Sequence, residues 1–496
     1  MAQATIELAP EVRRFLEGSP LGGIVGGQEL PASNGGTFVT YDPGSGEKLA
    51  EVANFQPEDV DRAVRAAQRA FEESTWATMS AHERGALLHR WVEEVERQKD
   101  VIARIESLDC GKILRQAESD VQNFIDTMRY FIEMSLHLSP RSVLAVPRYE
   151  AYLYRAAWGP CGFIFPWNFP LLLLGWGIAP ALAAGNTVVV KPAEDTPLST
   201  LYVVRLAKEA GIPDGVMNVV PGLGKVTGAA LSQHPGLRRM SFTGSPEVGR
   251  LVAEACGRNL IPVKLELGGK GAAIVFDDVD PEATADRLAE AVTFHCGQVC
   301  CTATRWIIHR KIYDRFIERA RAKLGSLRIG YELDSHVDLG PVINRKQKDR
   351  ILSYIERGVG QGAKLLLEGG EAEVPGRRGF YVKPALLAGS LDNVAAQEEI
   401  FGPVAYVTSF EDESEAIAKA NYTQYGLANS VWSRDLDRAR RVAEGLEAAN
   451  SWINAHNLFP HGVPYGGIKK SGLGGGVLSE QTFLDYLRST SVVRPL

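Results

Sequence analysis

Apolar positions along this 496-residue chain follow a helical period near the N-terminus and a strand period further on. They recur every three or four residues from Val60 to Phe71 and from Leu88 to Val95, which predicts two helices. Ser80 and Glu83 form a capping-box pattern ahead of the second one. The N-terminal part is therefore predicted to be helical.

From about residue 158, short apolar runs alternate with amphipathic stretches. The runs typical of strands are CGFIF (161–165), NTVVVK (186–191), VMNVV (216–220), RMSFT (239–243), VKLEL (263–267) and AAIVF (272–276). A helix is predicted from Pro197 to a stop at Gly211 and Pro213. Strands alternating with helices indicate open parallel α/β sheets, which bind ligands beyond the carboxyl ends of their strands. A second stretch of this kind begins after residue 270 and continues to about residue 470.

Three further segments have distinct patterns. The apolar segment 169–185 contains Pro180 and is shorter than the ~20 residues of a membrane-spanning helix, so a buried helix is predicted. The segments 149–157 and 489–495 read as exposed strands outside both sheets. Unpaired strands of this kind are candidates for contact with another subunit.

Composition and charge exclude several classes of partner. The net charge is only −6, from 54 basic and 60 acidic residues, which argues against binding nucleic acid or a membrane surface. Six cysteines in a chain of this length do not form a disulfide framework, and the first residues lack the apolar run of a secretory signal. A cytoplasmic protein with reduced thiols and no membrane segment is expected.

The stretch HCGQVCC (295–301) concentrates one histidine and three cysteines in seven positions. Zinc would need a second ligand pair that is not present, and a redox pair would favour Cys-x-x-Cys, so no metal is expected. Cys296 and Cys301 are interpreted as small buried side chains. Cys300 lies in a loop and is the candidate nucleophile, which requires a thiolate, a base and an oxyanion site.

Two polar residues follow predicted strands at the ligand-binding edge. Asn168 could donate its amide to an oxyanion, although a turn residue between prolines is an equal alternative. Glu266 lies in the apolar strand VKLEL, where a solvated surface carboxylate is not expected. A phosphate-binding loop at GLGKVTG (222–228) does not have the required spacing.

Seven motifs together resemble the NAD(P)-dependent aldehyde dehydrogenase superfamily. They are PWNFP (166–170), KPAE (191–194), FTGSPEVG (242–249), LELGGK (265–270), GQVCC (297–301), EEIFGPV (398–404) and PYGGIKKSG (464–472). The resemblance implies that Cys300 attacks an aldehyde and that Asn168 and the Cys300 backbone N–H hold the oxyanion. Hydride transfer then gives a thioester, and Glu266 activates the water that hydrolyses it.

The resemblance also implies the cofactor and substrate residues. NAD is expected, with NADP less favoured, because Glu194 at a strand end would accept a ribose and repel a 2′-phosphate. Gly244 and Ser245 open a helix suited to a pyrophosphate. The full cofactor set is Phe165, Trp167, Lys191, Glu194, Gly224, Thr243, Gly244, Ser245, Val248, Glu399 and Phe401. The implied substrate channel is Phe169, Leu173, Trp176, Val299, Cys301, Phe459 and Tyr465.

This channel would suit an apolar or aromatic aldehyde, or equally a quaternary ammonium held by cation–π attraction. His456 and His461 lie in the same region and are expected to be surface residues. The implied architecture is two open α/β domains with a small β oligomerisation arm. The NAD-binding domain comprises residues 1–137 and 158–267, the catalytic domain 268–470, and the arm 138–157 and 471–496. A homodimer or homotetramer is expected.

Two departures from the family keep rival functions open. The family commonly has a Lys after the Trp of the apolar helix and a Glu after the KxSG motif, and these are thought to relay protons from the general base. This chain has Gly177 and the run Gly474–Gly476 there. Glu266 is therefore expected to pass its proton through water or a different partner, and Gly177→Lys with Gly476→Glu to alter the pH dependence of turnover. The rivals are a catalytically impaired binding or structural relative, a CoA-acylating dehydrogenase and a plain cysteine hydrolase.

Overall fold

The structure is a computed structural model that describes residues 8–496. In its first large sheet, five central strands are parallel and antiparallel strands close both edges. In spatial order the strands are β2 (Gln28–Leu30), β1 (Gly23–Val25), β9 (Met217–Val219), β8 (Thr187–Lys191), β7 (Pro160–Ile164), β10 (Arg239–Thr243), β11 (Val263–Glu266) and β23 (Gly472–Leu473).

The second large sheet has six parallel strands and one antiparallel edge strand. Its order is β14 (Lys364–Leu367), β17 (Ala385–Ala388), β18 (Val404–Phe410), β13 (Ala303–His309), β12 (Gly271–Val275), β20 (Ala428–Trp432) and β21 (Asn450–Ile453). A third, antiparallel sheet contains β24 (Leu487–Pro495), β6 (Tyr149–Ala157) and β5 (Arg141–Leu144). The remaining strands pair as β3 (Thr37–Tyr41) with β4 (Lys48–Ala53), β15 (Gly370–Glu371) with β16 (Val382–Lys383), and β19 (Tyr425–Gly426) with β22 (Ile468–Lys469).

Helices pack on both faces of each large sheet. They are α1 (Pro10–Glu17), α2 (Pro57–Glu73), α3 (Ala81–Arg97), α4 (Lys99–Cys110), α5 (Leu114–His137), α6 (Pro170–Ala183), α7 (Leu198–Arg205), α8 (Ala229–Gln233), α9 (Pro246–Arg258), α10 (Pro281–Thr293), α11 (Tyr313–Gly325), α12 (Arg345–Gly360), α13 (Val394–Gln397), α14 (Glu413–Asn421), α15 (Leu436–Glu444) and α16 (Glu480–Asp485). Val188 and Val190 of β8 belong to one hydrophobic core and Val189 to another. Successive strand residues point to opposite faces, so both faces are buried.

The α/β architecture predicted from the sequence is confirmed, and so are the six strands from residue 158 onward. The capping box is present, with Glu83 N donating to Ser80 Oγ at 3.2 Å. Two local predictions were wrong. Four strands, β1 to β4, lie between α1 and α2 in the part predicted to be helical. The helix after Pro197 ends at Arg205, and residues 206–211 continue as turns.

The apolar segment forms the buried helix α6. No helix between residues 8 and 496 is both long and apolar enough to cross a membrane. The two exposed strands predicted outside the large sheets are β6 and β24, and they pair with each other along their whole length. β23, which follows residue 471, lies at the edge of the first large sheet beside β11.

Candidate active site

A cleft of about 1360 Å³ is lined by loops that follow strands of the first sheet and by the loop that precedes β13 of the second. In the first sheet, β8 and β10 lie on opposite sides of β7, so the strand order reverses there. Ligands bind at such a reversal, beyond the carboxyl ends of the strands. Asn168, Ser245 and Glu266 follow or end strands at this edge and line the cleft.

The loop that contains Cys300 is held close to neighbouring backbone. His295 and Cys296 adopt left-handed φ values of 45° and 53°, and Gly297 follows at 71°. A Cβ on Gly297 would lie 2.2 Å from the carbonyl of Gly402. Only glycine allows the backbone at position 297 to lie this close to Gly402, so this contact fixes the position of the loop that contains Cys300.

The thiol of Cys300 is accessible from the cleft and lies among hydrogen-bond donors. The Tyr465 hydroxyl is 3.6 Å from Cys300 Sγ. Hydrogen bonds from the Cys301 thiol and the Tyr465 hydroxyl lower the pKa of Cys300 below its ordinary value, against an opposing effect of burial. A lowered pKa favours the thiolate, which is the form that acts as a nucleophile.

The other two cysteines of this stretch have different surroundings. Cys296 packs in a hydrophobic core with Leu339 and Val342, and burial raises its thiol pKa strongly. Cys301 is buried at the wall of the cleft, and burial raises its pKa well above the ordinary value. Within residues 8–496, no group of three His, Cys, Asp or Glu side chains is arranged to hold a metal ion.

Asn168 is buried and oriented by one hydrogen bond. Its Nδ2 donates to the backbone oxygen of Gln298 at 3.0 Å. The Gln298 side chain is itself held, since Ile343 N donates to its Oε1 at 2.9 Å. A carboxamide has two N–H donors, so this contact leaves one free for a ligand in the cleft.

Glu266 ends β11 and is 7% exposed. Neither carboxylate oxygen has a hydrogen-bond partner in the described part of the chain. Burial raises the pKa of Glu266 well above its ordinary value, Lys264 lowers it, and the Cys300 thiol adds to the increase. A buried carboxyl of raised pKa in a cleft is a candidate general base.

Six residues of the implied cofactor set line one half of the cleft: Trp167, Thr243, Gly244, Ser245, Glu399 and Phe401. Ser245 caps α9 by accepting a hydrogen bond from Val248 N at 3.3 Å, so the N-terminus of a 13-residue helix opens into the cleft. Glu399 accepts a hydrogen bond from Gly269 N at 2.8 Å, and burial raises its pKa to about 7. This half suits a pyrophosphate and a ribose.

Three more residues of the implied cofactor set, Lys191, Glu194 and Gly224, form a separate cluster near the end of β8. Lys191 Nζ lies 3.0 Å from Glu194 Oε2, and Gly224 N donates to Glu194 Oε1 at 3.3 Å. Partial burial raises the pKa of Glu194. The charge of Lys191 and the hydrogen bonds to the carboxylate together outweigh burial, so the pKa is below its ordinary value and the carboxylate is ionised. Its side chain is 42% exposed, so it fits the hydroxyl groups of a ribose.

The last two residues of the implied cofactor set, Phe165 and Val248, do not line the cleft. The Phe165 ring stacks on Phe163 in the core at 5.8 Å, which leaves only its backbone for a ligand. Val248 lies exposed on the first turn of α9.

All seven residues of the implied substrate channel line the other half of the cleft. Trp176, Phe459 and Tyr465 pack against one another with ring centroids 5.1–5.6 Å apart. Two contacts were not predicted from the sequence. Trp176 Nε1 donates to Asn123 Oδ1 at 2.8 Å, and Lys112 Nζ lies 3.9 Å from the centre of the Phe169 ring while it pairs with the buried Asp120.

The expectation that His456 and His461 are surface residues was wrong. His456 is half-buried with Nε2 2.9 Å from the backbone oxygen of Cys301, and burial lowers its pKa to about 4. His461 stacks on Tyr130 at 5.2 Å and its Nε2 is 3.0 Å from Thr127 Oγ1. Of the two, His456 contacts a residue of the cleft wall, Cys301.

The glycines at 177 and 476 lie where the chain is closely packed. A Cβ on Gly177 would lie 2.6 Å from the Phe165 ring, and one on Gly476 would lie 2.4 Å from the backbone oxygen of Tyr465. Neither position can take a longer side chain without displacing its neighbours. The double restoration expected to alter the pH dependence would therefore disturb the packing first.

The cleft thus brings together an accessible thiol of lowered pKa, a buried amide donor, a buried carboxyl and a helix N-terminus. The model of the Aldehyde dehydrogenase family matches residues 31–492, and the chain belongs to this family. It is 41% identical over 465 residues to retinaldehyde dehydrogenase 3 of Mus musculus, covering 93% of this chain and 90% of the relative. It is 38% identical to the mitochondrial benzaldehyde dehydrogenase of Antirrhinum majus, covering 95% and 88%.

A solved NAD+ complex of an aldehyde dehydrogenase from Bacillus cereus has the same fold. Its TM-score is 0.96 at 35% identity, with 99% of this chain and 100% of that chain covered. The prediction of the family from the seven motifs is confirmed.

Proposed function

We propose that the three polar residues of the cleft divide the oxidation of an aldehyde, the reaction class of this family, into two steps. The Cys300 thiolate attacks the aldehyde carbon, and the free N–H of Asn168 with the Cys300 backbone N–H stabilises the oxyanion. Loss of hydride from the resulting thiohemiacetal leaves a thioester on Cys300. The observation that supports this assignment is the position of Cys300 in one cleft with Asn168 and Glu266, with its Sγ 3.6 Å from the Tyr465 hydroxyl, which helps to lower the pKa of the thiol.

Glu266 acts in the second step. Its carboxylate takes a proton from a water molecule that attacks the thioester carbon, so that the acid leaves and the Cys300 thiolate is regenerated. An enzyme that passed its thioester to coenzyme A would not need this base. The buried position of Glu266 at the cleft therefore favours hydrolysis.

NAD supplies the hydride acceptor when it is bound. Ser245 and the N-terminus of α9 would hold its pyrophosphate, Glu399 the ribose next to the nicotinamide, and Glu194 the adenosine ribose. The ionised Glu194 would repel the 2′-phosphate of NADP, so NAD is preferred. Phe165, Gly224 and Val248 would contribute to NAD binding through backbone or surface contacts.

The substrate is an apolar, preferably aromatic, aldehyde. Trp176, Phe459 and Tyr465 form an apolar wall, whereas the face of Phe169 that could attract a substrate cation is already covered by Lys112. Asp120, the nearby carboxylate, is paired with the same lysine. Relatives named for retinaldehyde and benzaldehyde agree with this class.

We further propose the division into an NAD-binding domain (1–137 and 158–267), a catalytic domain (268–470) and an arm (138–157 and 471–496). β24 leaves one edge of the small sheet open and exposes Val493, which supports a homodimer or homotetramer formed through the arm. Six free cysteines are consistent with the cytoplasm as its compartment. Light scattering of the purified protein tests the oligomeric state.

Absorbance of the reduced cofactor tests the activity and its specificity. We expect turnover of benzaldehyde with NAD, with kcat/KM at least about tenfold above that for betaine aldehyde. Glu194→Gln is expected to narrow the difference between NAD and NADP. Faster turnover of betaine aldehyde, or of NADP by the unaltered enzyme, would contradict the corresponding assignment.

A further inference from the structure

A buried lysine lies beside the proposed general base on the same strand. Lys264 and Glu266 are two residues apart on β11, so their side chains leave the same face of the sheet. Lys264 is 1% exposed and Glu266 is 7% exposed. Lysine is rarely buried without a compensating partner, so the contacts of this ammonium need an explanation.

The Lys264 ammonium is held at the C-terminal end of the chain. Its Nζ donates to the backbone oxygen of Gly476 at 2.7 Å and lies 3.8 Å from Asp485 Oδ2 on α16. It also lies 5.6 Å from the centre of the Tyr486 ring. Arg239 of β10 completes the surroundings, with Nη2 3.4 Å from the same Asp485 oxygen.

The segment that holds this ammonium also packs near the Glu266 carboxyl. A Cβ on Gly466 would lie 2.8 Å from Gly476 Cα and 3.1 Å from Glu266 Oε1, so Gly466 lies between the residue that accepts from Lys264 and the carboxyl. The Cys300 thiol is the titratable group that faces Glu266 from the opposite loop, and its thiolate would oppose ionisation of the carboxyl. Arg239, Asp485 and Glu266 are the charged groups that face Lys264.

No described residue stabilises the ionised form of Glu266 through a hydrogen bond. The close packing at Gly177 and Gly476 leaves no room for longer polar side chains there. Burial lowers the pKa of Lys264 to about 8, so at neutral pH it is predominantly protonated and positively charged.

We propose that Lys264 is a positioning residue for Glu266: its ammonium, held by the Gly476 carbonyl and by Asp485, favours the ionised form of the buried Glu266 in the hydrolysis of the thioester. Lys264 touches neither the substrate nor the cofactor and acts through the charge of Glu266. This inference rests on the proposed function and deepens it.

Lys264→Met tests the inference because methionine keeps much of the volume and removes the charge. An opposite charge nearby lowers the pKa of a carboxyl, so its loss raises the pKa of Glu266. We expect the acidic limb of the kcat–pH profile to move to higher pH by about 1 unit or more. The pre-steady-state burst of NADH should keep its amplitude because it precedes hydrolysis.

Two further variants make the test specific. Asp485→Asn weakens the hold on the Lys264 charge and should move the limb in the same direction by a smaller amount. Lys348→Met removes another buried lysine, which is 4% exposed on α12 and pairs with Glu371, and should leave the profile unchanged. If Lys264→Met does not fold, Asp485→Asn provides the same readout.

The outcomes separate this inference from the proposed function. A burst in the unaltered enzyme together with an unshifted limb in both Lys264→Met and Asp485→Asn overturns the role of Lys264. A shift of equal size in Lys348→Met also overturns it, because the effect would then follow any loss of a buried lysine. Absence of a burst and of turnover in the unaltered enzyme overturns the proposed function itself.

Discussion

Cys300 and Glu266 line the same cleft but ionise in opposite surroundings. The thiol has donors beside it, Cys301 and Tyr465, which lower its pKa. The carboxyl has no donor among residues 8–496, and burial raises its pKa well above the ordinary value. In the proposed mechanism, hydrogen bonds act directly on the nucleophile Cys300, whereas the base Glu266 depends on the positive charge of Lys264, to which it is not hydrogen-bonded.

Because the two groups have different surroundings, formation of the thioester and its hydrolysis should depend differently on pH. Formation of the thioester should follow ionisation of Cys300, and its hydrolysis should follow ionisation of Glu266. Because hydrogen bonds lower the pKa of Cys300 and burial raises that of Glu266, the burst and the steady-state rate should have different pH profiles. The predictions below alter the two surroundings one at a time.

The largest effect is expected for Cys300→Ala. Without the thiol there is no covalent intermediate, and kcat should fall by at least about 10³-fold with no NADH burst. Binding of NAD, measured by fluorescence quenching, should remain because the cofactor half of the cleft is unchanged. Retention of a burst would exclude Cys300 as the nucleophile.

Glu266→Gln should affect only the second step. Loss of a general base costs about 10²–10⁴-fold in rate, so steady-state turnover should fall by that factor. The burst of about one NADH per site should remain. Rapid mixing measures both quantities in one experiment, and loss of the burst with turnover would show that Glu266 is needed before the thioester forms.

Tyr465→Phe removes one donor and keeps the ring. A hydrogen bond to the thiolate favours the charged form, so its loss raises the pKa of Cys300. The rate of alkylation by iodoacetamide, measured against pH, should shift to higher pH by up to about 1 unit. An unchanged profile would mean that the Tyr465 hydroxyl, 3.6 Å from Sγ, does not stabilise the thiolate.

The smallest effect is expected for Cys296→Ala. This thiol is buried among apolar side chains, so its removal should lower the free energy of unfolding by about 1 kcal/mol. The kcat and the alkylation profile of Cys300 should not change. Urea denaturation measures the first quantity, and a loss of activity would contradict the separation of Cys296 from the chemistry.

Local patterns in the sequence were sufficient for the strands that build the site. Runs such as NTVVVK and RMSFT are buried on both faces, so their apolar composition predicted β8 and β10 directly. Asn168 and Glu266 could be selected because they follow or end predicted strands, whereas Cys300 was selected from the loop residues around it and lies before β13, which was not predicted. The four N-terminal strands were missed because β1 and β2 have only three residues each, and β3 and β4 mix exposed and buried positions instead of forming an apolar run.

Contacts between distant parts of the chain could not be predicted in this way. Lys264 and Gly476 are 212 residues apart, and nothing in either local pattern indicates that they meet. The same holds for Lys112 on the ring of Phe169. From the sequence, Gly177 was interpreted as the loss of a lysine. The structure shows that the Phe165 ring leaves no room for a side chain at this position.

The most direct test of two separate steps is the mass of Glu266→Gln enzyme quenched in acid after mixing with benzaldehyde and NAD. The account predicts that the chain gains one benzoyl group and that peptide mapping places it on Cys300. An unmodified chain formed alongside a full NADH burst would show that hydrolysis does not need Glu266, and a benzoyl group on another residue would show that Cys300 is not the nucleophile.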